Sequence, residues 1–556
     1  MAITKVTSLV LGSGSATDGH VLTADGSGNS AWEAAAGGGV TFKTFGTSSL
    51  MIGDATTGTI DAANYNVGLG VDVFAALTSG DGNVAVGFKS LTGTTTGSNN
   101  TAVGDGAGYR ITTGADNTVI GNMEDSGVGA MTSSSNTFVG RSAGESNTSG
   151  ASNTFIGSLC GDLATTGNTN TGVGGSCLTA LTTAANNTAV GASCMAANTT
   201  GTDNVAMGSG ALTANTTGAA HTAVGRSALG ANTTGNDNTA VGLSSLVANT
   251  TGSQNTAIGG AALAANTTAA DNTAVGYIAL YANTTGTLNT AVGVGSLRTN
   301  TTGNYNTAVG RNALYANTTA NYNTAVGIDS LASNTTGASN TAFGTDALVA
   351  CTTGTTNTAV GKGAAPAITT GHENTCIGSS TAQGLTTGTN NVCIGLGAGN
   401  SGNPGGFLQT TDNRIVIGNA SSANAHIQID WTVASDKRDK TDVTPLDMGL
   451  SFINKLEPVT YKWDKRAKYE EGETPDGTHK ESWTDVGFLA QDVEEIEAEF
   501  GHKIEDETNL TTYMSEDKDA YGLTYAKFVP MLVKSVQELS TQVDELKSEL
   551  LALKGE

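Results

Sequence analysis

Asn238-Thr239-Ala240-Val241-Gly242-Leu243-Ser244-Ser245-Leu246-Val247-Ala248-Asn249-Thr250-Thr251-Gly252-Ser253-Gln254 is one copy of a 17-residue unit that recurs through most of the chain. Its consensus is Asn-Thr-Ala-Val-Gly, two variable residues, Ala/Ser-Leu, one variable residue, Ala-Asn-Thr-Thr-Gly, and two more. The glycine after Ala-Val marks the register. It recurs without a slip every 17 residues from Gly140 through Gly242 to Gly395, with earlier members at Gly87, Gly104 and Gly121 and one spacing of 19 before Gly140. A fixed period of this size marks a solenoid, in which each unit buries its apolar face only by stacking on the next.

Ala-Val or Ala-Ile before the glycine is a short β signal, closed by the turn chemistry of Asn-Thr-Thr-Gly. A helical solenoid needs longer repeats and stronger helix formers. The fold class expected is therefore mainly β: a 17-residue-repeat parallel β-solenoid, with coils stacked at about 4.8 Å and nineteen or so of them making a rod of about 90 Å. Equivalent Asn and Thr residues stack as ladders along it. Each coil offers about four inward candidates, Ala, Val, Ala and Leu, which is a thin core for a lone chain. A core shared between chains would cure this, so an oligomeric rod is expected; a single-chain triangular β-helix is the second possibility. The coil resembles the Ala-Ile-Gly coils of trimeric adhesin heads of the left-handed β-roll type, and a trimer is implied only by that resemblance.

Composition excludes several classes. Aromatic residues are 5% and charged residues 13% of 556, which is anomalous for an enzyme and ordinary for a repeat fibre. A net charge of −24 disfavours a nucleic-acid partner. No apolar run reaches 18 residues, so no membrane insertion is expected. Met1 to Gly12 lacks a charged start and a long apolar region, so no secretory signal is expected. Cys160, Cys177 and Cys194 are 17 apart, as are Cys376 and Cys393, and should stack in neighbouring coils as small core filler. No histidine shares their register and no Cys-x-x-Cys occurs, so neither a metal nor another cofactor is expected.

In order, residues 1–40 read as an attachment or leader segment, 41–86 as irregular capping coils, 87–400 as the regular shaft, and 401–434 as closing strands and connector. The stretch Gly19-His20-Val21-Leu22-Thr23-Ala24-Asp25-Gly26-Ser27-Gly28-Asn29-Ser30-Ala31-Trp32 resembles a short module near the start of phage tail-fibre proteins, which implies joining to a virion tail or adaptor protein. The simpler reading is a flexible leader ending in Gly37-Gly38-Gly39. Arg414 to Gly418 and His426 to Trp431 read as two strands that close the shaft.

At Ser435 the composition changes. Residues 435–556 carry 28 acidic and 15 basic side chains, against 21 and 10 in the 434 before them, so this is a separate α+β domain. It ends in a heptad helix over about 528–554. Val529, Leu532, Val536, Leu539, Val543, Leu546, Leu550 and Leu553 form an a/d seam, and Val at a with Leu at d by itself favours two strands. Ser435-Asp436-Lys437-Arg438-Asp439-Lys440, Leu450 to Trp463, Gly487 to Val493, Tyr525 and the heptads stand in the order and spacing of a known family. Together they resemble the intramolecular chaperone and auto-processing domain of phage tail fibres and tailspikes, the peptidase S74 family.

That resemblance implies a domain that trimerises, guides folding of the fibre, and cuts itself off before the serine. Carried over, Ser435 is the nucleophile, Lys440 the general base, and Ala434–Ser435 the cut bond: one turnover of a serine peptidase, with no enzyme activity in the shaft. A lysine serves as base only if burial or neighbouring cations lower its pKa. Lys437 and Arg438 would help; Asp436 and Asp439 would oppose. A separation of five is not one helical face, so the pair must meet through a turn or across a subunit boundary. The simpler reading is a helix start capped by Ser435. The function implied is a homotrimeric phage tail fibre, assembled in the host cytoplasm, resident in the virion, and contacting a host surface glycan or protein receptor. Tyr277, Tyr281, Tyr305, Tyr315 and Tyr322 are candidates for an aromatic sugar-binding strip. A glycan-degrading tailspike needs a carboxylate pair that the acid-poor shaft does not offer. A bacterial surface adhesin would call for a signal peptide and a membrane anchor. Ice binding by Thr ladders fits the repeat but gives a processing domain no purpose.

Overall fold

The structure, a computed structural model, describes residues 20–24, 30–34, 42–43, 49–53, 62–123, 127–401, 407–419, 421–422, 435–465, 469, 474–514 and 521–555. The chain divides into two units, Met1–Leu288 and Asn289–Glu556, a boundary that falls inside the repeat array.

The first unit is a parallel β-solenoid. Three-residue strands recur once per coil from Val84–Val86 to Thr273–Val275, each pairing in parallel with its neighbours within the unit. The pairing is in register with the repeat: Thr239 opposes Thr256, Ala240 opposes Ala257 and Val241 opposes Ile258. Ahead of Val84–Val86, residues 41–83 already carry two parallel rungs, Leu50–Gly53 and Val67–Gly70, with Phe42–Lys43 antiparallel to the first. Before them lies an antiparallel hairpin of His20–Ala24 and Ser30–Ala34. The second unit has the same construction from Thr290–Val292 to Val392–Ile394, and Ile415–Ile417 adds a further parallel rung at an offset of 23 residues. The expected break at Gly402–Gly406 and the expected strand from His426 to Trp431 lie outside the described residues.

The glycine series superposes from coil to coil. Gly242 has φ +137, and a Cβ on it would lie 2.6 Å from the Gly259 carbonyl oxygen of the next coil. Neither the dihedral nor the space admits a side chain. The corners between strands are left-handed as well, and mostly at non-glycine residues: Ser244, Leu246 and Gln254 have φ +54, +49 and +59.

One expectation about the core is corrected. In a three-residue strand only the middle side chain points inward. Ala240 is therefore buried while Val241 faces out, and the strand valines, isoleucines and methionine stand 36% to 47% exposed wherever they are exposed within the regular array. Asparagines take inward places instead, one in nearly every coil and a second in the coils from Asn198 to Asn334. Asn255 donates its backbone N–H to Asn238 Oδ1 at 3.0 Å and its amide to the Ala269 carbonyl at 2.9 Å, while its own Oδ1 accepts the Asn272 N–H at 3.1 Å. A second ladder joins Asn249 Nδ2 to Asn232 Oδ1 and to the Gly252 carbonyl, both at 2.9 Å. Buried amides are tolerable only when their hydrogen bonds are made, and the ladders make them. With Ala240, Ser245, Leu246, Asn238 and Asn249 all fully buried, a coil closes its core within one chain. The thin-core argument for sharing it between chains counted the valine inward and the asparagines outward.

All six cysteines are free and buried. Cys177 stacks between Cys160 and Cys194, and its thiol is pushed up to about 12, first by the Cys160 thiol and then by burial.

Residues 435–556 hold helices α1 (Leu450–Ile453), α2 (Ala490–Glu499) and α3 (Phe528–Lys554), with two small antiparallel pairs, Val459–Tyr461 with Asp485–Gly487 and Thr512–Met514 with Tyr521–Leu523. Their core is Met448, Phe452, Val493, Phe528 and Met531. All eight seam residues of α3, from Val529 to Leu553, are exposed in the single chain.

Candidate processing site

Ser435 and Lys440 meet through a turn. Residues Lys437–Asp439 form one turn of 3-10 helix whose cap is Asp436, not Ser435: Asp436 Oδ1 accepts the Arg438 N–H at 2.9 Å. Asp439 donates its N–H to the Asp436 carbonyl at 3.2 Å, and Lys440 donates to the Lys437 carbonyl at 3.3 Å. A 3-10 turn advances three residues per revolution. The chain thus doubles back within the five-residue separation, and Lys440 Nζ lies 2.6 Å from Ser435 Oγ.

The Arg438 guanidinium folds onto Asp436. Its Nη2 reaches Oδ2 at 2.6 Å and its Nε reaches both carboxylate oxygens at 3.1 Å. The Arg438 side chain beside Asp436 holds that carboxyl below the usual carboxylate range, and the backbone N–H of Arg438 adds to it. Asp436, expected to oppose a neutral lysine, is thereby charge-compensated by its neighbour. Sequence reasoning placed these two residues on opposite sides of the balance; the i,i+2 spacing of acid and arginine around a turn was the available signal.

Residues 435–445 are exposed throughout. A lysine accepts a proton from serine only as the neutral amine, a form that burial favours. The contact distance for proton transfer is present in the single chain, and the desolvation is not. Ala434, the expected residue on the other side of the cut bond, lies outside the described residues.

Behind the segment the domain is anchored by polar contacts the sequence did not advertise. Glu538 on α3 accepts the Leu450 N–H at 2.7 Å and thereby caps α1, and this bond is the main cause holding its carboxyl below the usual range. The buried Glu497 carboxylate accepts the Thr511 N–H and hydroxyl, both at 2.6 Å, and the Thr512 N–H at 3.3 Å. Tyr525 packs against Phe488 and accepts its N–H at 3.1 Å.

The tyrosine candidates do not form one strip. By the 17-residue register they fall in three columns: Tyr277; Tyr281 and Tyr315; Tyr305 and Tyr322. Tyr305 and Tyr322 stack with ring centres 5.1 Å apart and stand exposed. Tyr315 is engaged by the Arg298 guanidinium at its hydroxyl. Among the described residues no group of three His, Cys, Asp or Glu side chains is placed to hold a metal, and no helix is long and apolar enough to cross a membrane.

Comparison with known proteins bears on the last domain. The family model of the chaperone of endosialidase, peptidase S74, matches residues 435–502, beginning at Ser435 and covering the turn, α1 and α2. No curated protein and no solved structure matches the chain.

Proposed function

We propose that the chain is the subunit of a homotrimeric phage tail fibre. Residues 435–556 act as an intramolecular chaperone that fixes chain number and alignment, then leave by self-cleavage between Ala434 and Ser435. The observation that carries this is the 2.6 Å contact between Ser435 and Lys440 at the first residue of the family match. The exposed eight-residue seam of α3 supports a role in association, since a/d seams are covered by partner helices. The solenoid supports a structural shaft, and its nearly identical coils supply the need for a chaperone. A slip of one coil between chains changes few contacts, so the repeats specify register weakly.

In this mechanism neutral Lys440 takes the Ser435 hydroxyl proton while Oγ attacks the Ala434 carbonyl carbon. The proton passes to the Ser435 amide nitrogen as the C–N bond breaks, leaving an ester between Ala434 and the serine side chain. Water hydrolyses the ester to an Ala434 carboxylate and restores the hydroxyl. Burial of the turn by neighbouring copies supplies the desolvation the lone chain lacks. Virion attachment through the N-terminus and contact with a host glycan or protein receptor complete the role.

The test is the intact mass of purified protein. The wild type should lose residues 435–556 and the Ser435→Ala variant should keep them. Two full-length products would leave Ser435 a structural residue only.

A further inference from the structure

In each unit, among the parallel strands from Val67–Gly70 onward, the two outward positions carry no charge. Each three-residue strand presents two outward positions. The first is Thr in most coils and Val or Ile in the rest. The second is Leu69, Val86, Val103, Ile120, Val139 and so on through Val275 in the first unit, and runs from Val292 to Ile417 in the second. Every described member of that second column is Leu, Val, Ile, Met or Phe, although the side chains reach solvent: Ile258 is 41% and Phe343 56% exposed. The positions just after the glycine are equally exposed and hold Arg, Lys, Asp, Ser, Tyr and Leu without pattern. Strand propensity accounts for Val, Ile and Thr, but not for the exclusion of Lys, Glu, Arg and Asp from a solvated sheet face on a chain of net charge −24. Loss of charge at the centre of a patch is the compositional mark of a protein interface.

We propose that this charge-free strand face is where copies of the chain pack against one another along the shaft. Its geometry selects the occupant. An apolar column repeating at about 4.8 Å is matched over many rungs only by a partner of the same pitch, and another copy of this solenoid has it. Its area is sufficient. In the first unit alone thirteen side chains line it, six of them exposed and seven half-buried, a patch of the size, about 800 Å² per partner, that a stable interface takes. The proposal takes from the homotrimer reading only the number of copies. The location of the face is independent of that reading.

Single cysteines test it, because the six native thiols are buried. In full-length protein whose mass is set by sedimentation, Ile258→Cys should give covalently linked chains in most molecules under mild oxidation. Thr251→Cys, exposed on the Asn-Thr-Thr-Gly corner, should give at least tenfold less. Unchanged hydrogen exchange over residues 239–275 checks that each variant is folded. A trimer in which Ile258→Cys stays unlinked, or links no more than Thr251→Cys, overturns the proposed face and leaves the homotrimer standing. A monomer overturns both.

Discussion

Replacing Asn255 by Leu should destabilise its coil by about 2–6 kcal/mol, although leucine is the more apolar residue and the site is buried. The side chain of Asn255 donates to Asn238 Oδ1 and to the Ala269 carbonyl, and accepts the Asn272 N–H. The first acceptor keeps the Asn255 backbone N–H, and the second keeps the Asn266 amide. Those two losses cost about 0.5–1.5 kcal/mol each. The Asn272 N–H is left buried without its acceptor, at about 1–3 kcal/mol. His221 shows which of these terms matters. It is the one non-asparagine between Asn66 and Asn391 in this ladder, and its Nδ1 accepts the Asn238 N–H at 3.2 Å. What the ladder retains at every rung is an acceptor for the next coil's backbone. Asn255→His should therefore cost less than Asn255→Leu. Hydrogen exchange resolved to peptides is the assay, because a solenoid opens locally. Faster exchange confined to coils around residues 250–275 is expected for Leu. A Leu variant that exchanges like the wild type would refute the assignment of the buried amides as the source of order.

Other substitutions probe the remaining parts. Burial holds the His221 imidazole below its ordinary pKa, opposed by its contacts to Gly235 and Asn238 and by the Asp237 charge. The unfolded chain therefore binds more protons below about pH 6.5, so stability present above that value falls as pH drops through the window. His221→Asn should abolish this dependence in exchange measured from about pH 7.5 to about pH 4.5. Ser244→Gly should stabilise its corner by about 0.5–1 kcal/mol, since φ is +54 there and strains any side chain. Gly210 and Gly295 already occupy the same column at φ +67 and +68, and thermal melting of the variant is the measurement. Arg438→Ala should slow self-cleavage on the order of tenfold and move its pH profile upward, because the released Asp436 charge favours the lysine ammonium. An unmoved profile in time courses would assign Arg438 no part in setting the turn.

The fold was legible because a period of 17 constrains every coil alike. Gly242 and its equivalents fixed the register, and the heptads from Val529 to Leu553 fixed α3. The inside of the coil was not legible, because hydrophobicity is a poor guide where a strand is three residues long. Val241 looks like core and faces solvent, while Asn238 and Asn249 look like surface and are buried. Only the stacking of identical amides, a contact between residues 17 apart, makes that inversion stable. At the site, the pairing of Ser435 with Lys440 came from family motifs. The 3-10 turn and the Arg438–Asp436 pair that bring the two together follow from local hydrogen bonding, which the residue types permitted but did not single out.

A uniform stack of coils that takes its chain number and alignment from residues 435–556 is the centre of this account. Sedimentation equilibrium on residues 1–434 expressed alone, beside the full-length chain, measures it most directly. The full-length chain should yield a trimer, and the truncated chain monomer or aggregate. A soluble trimer from residues 1–434 with the protease resistance of the full-length product would contradict it.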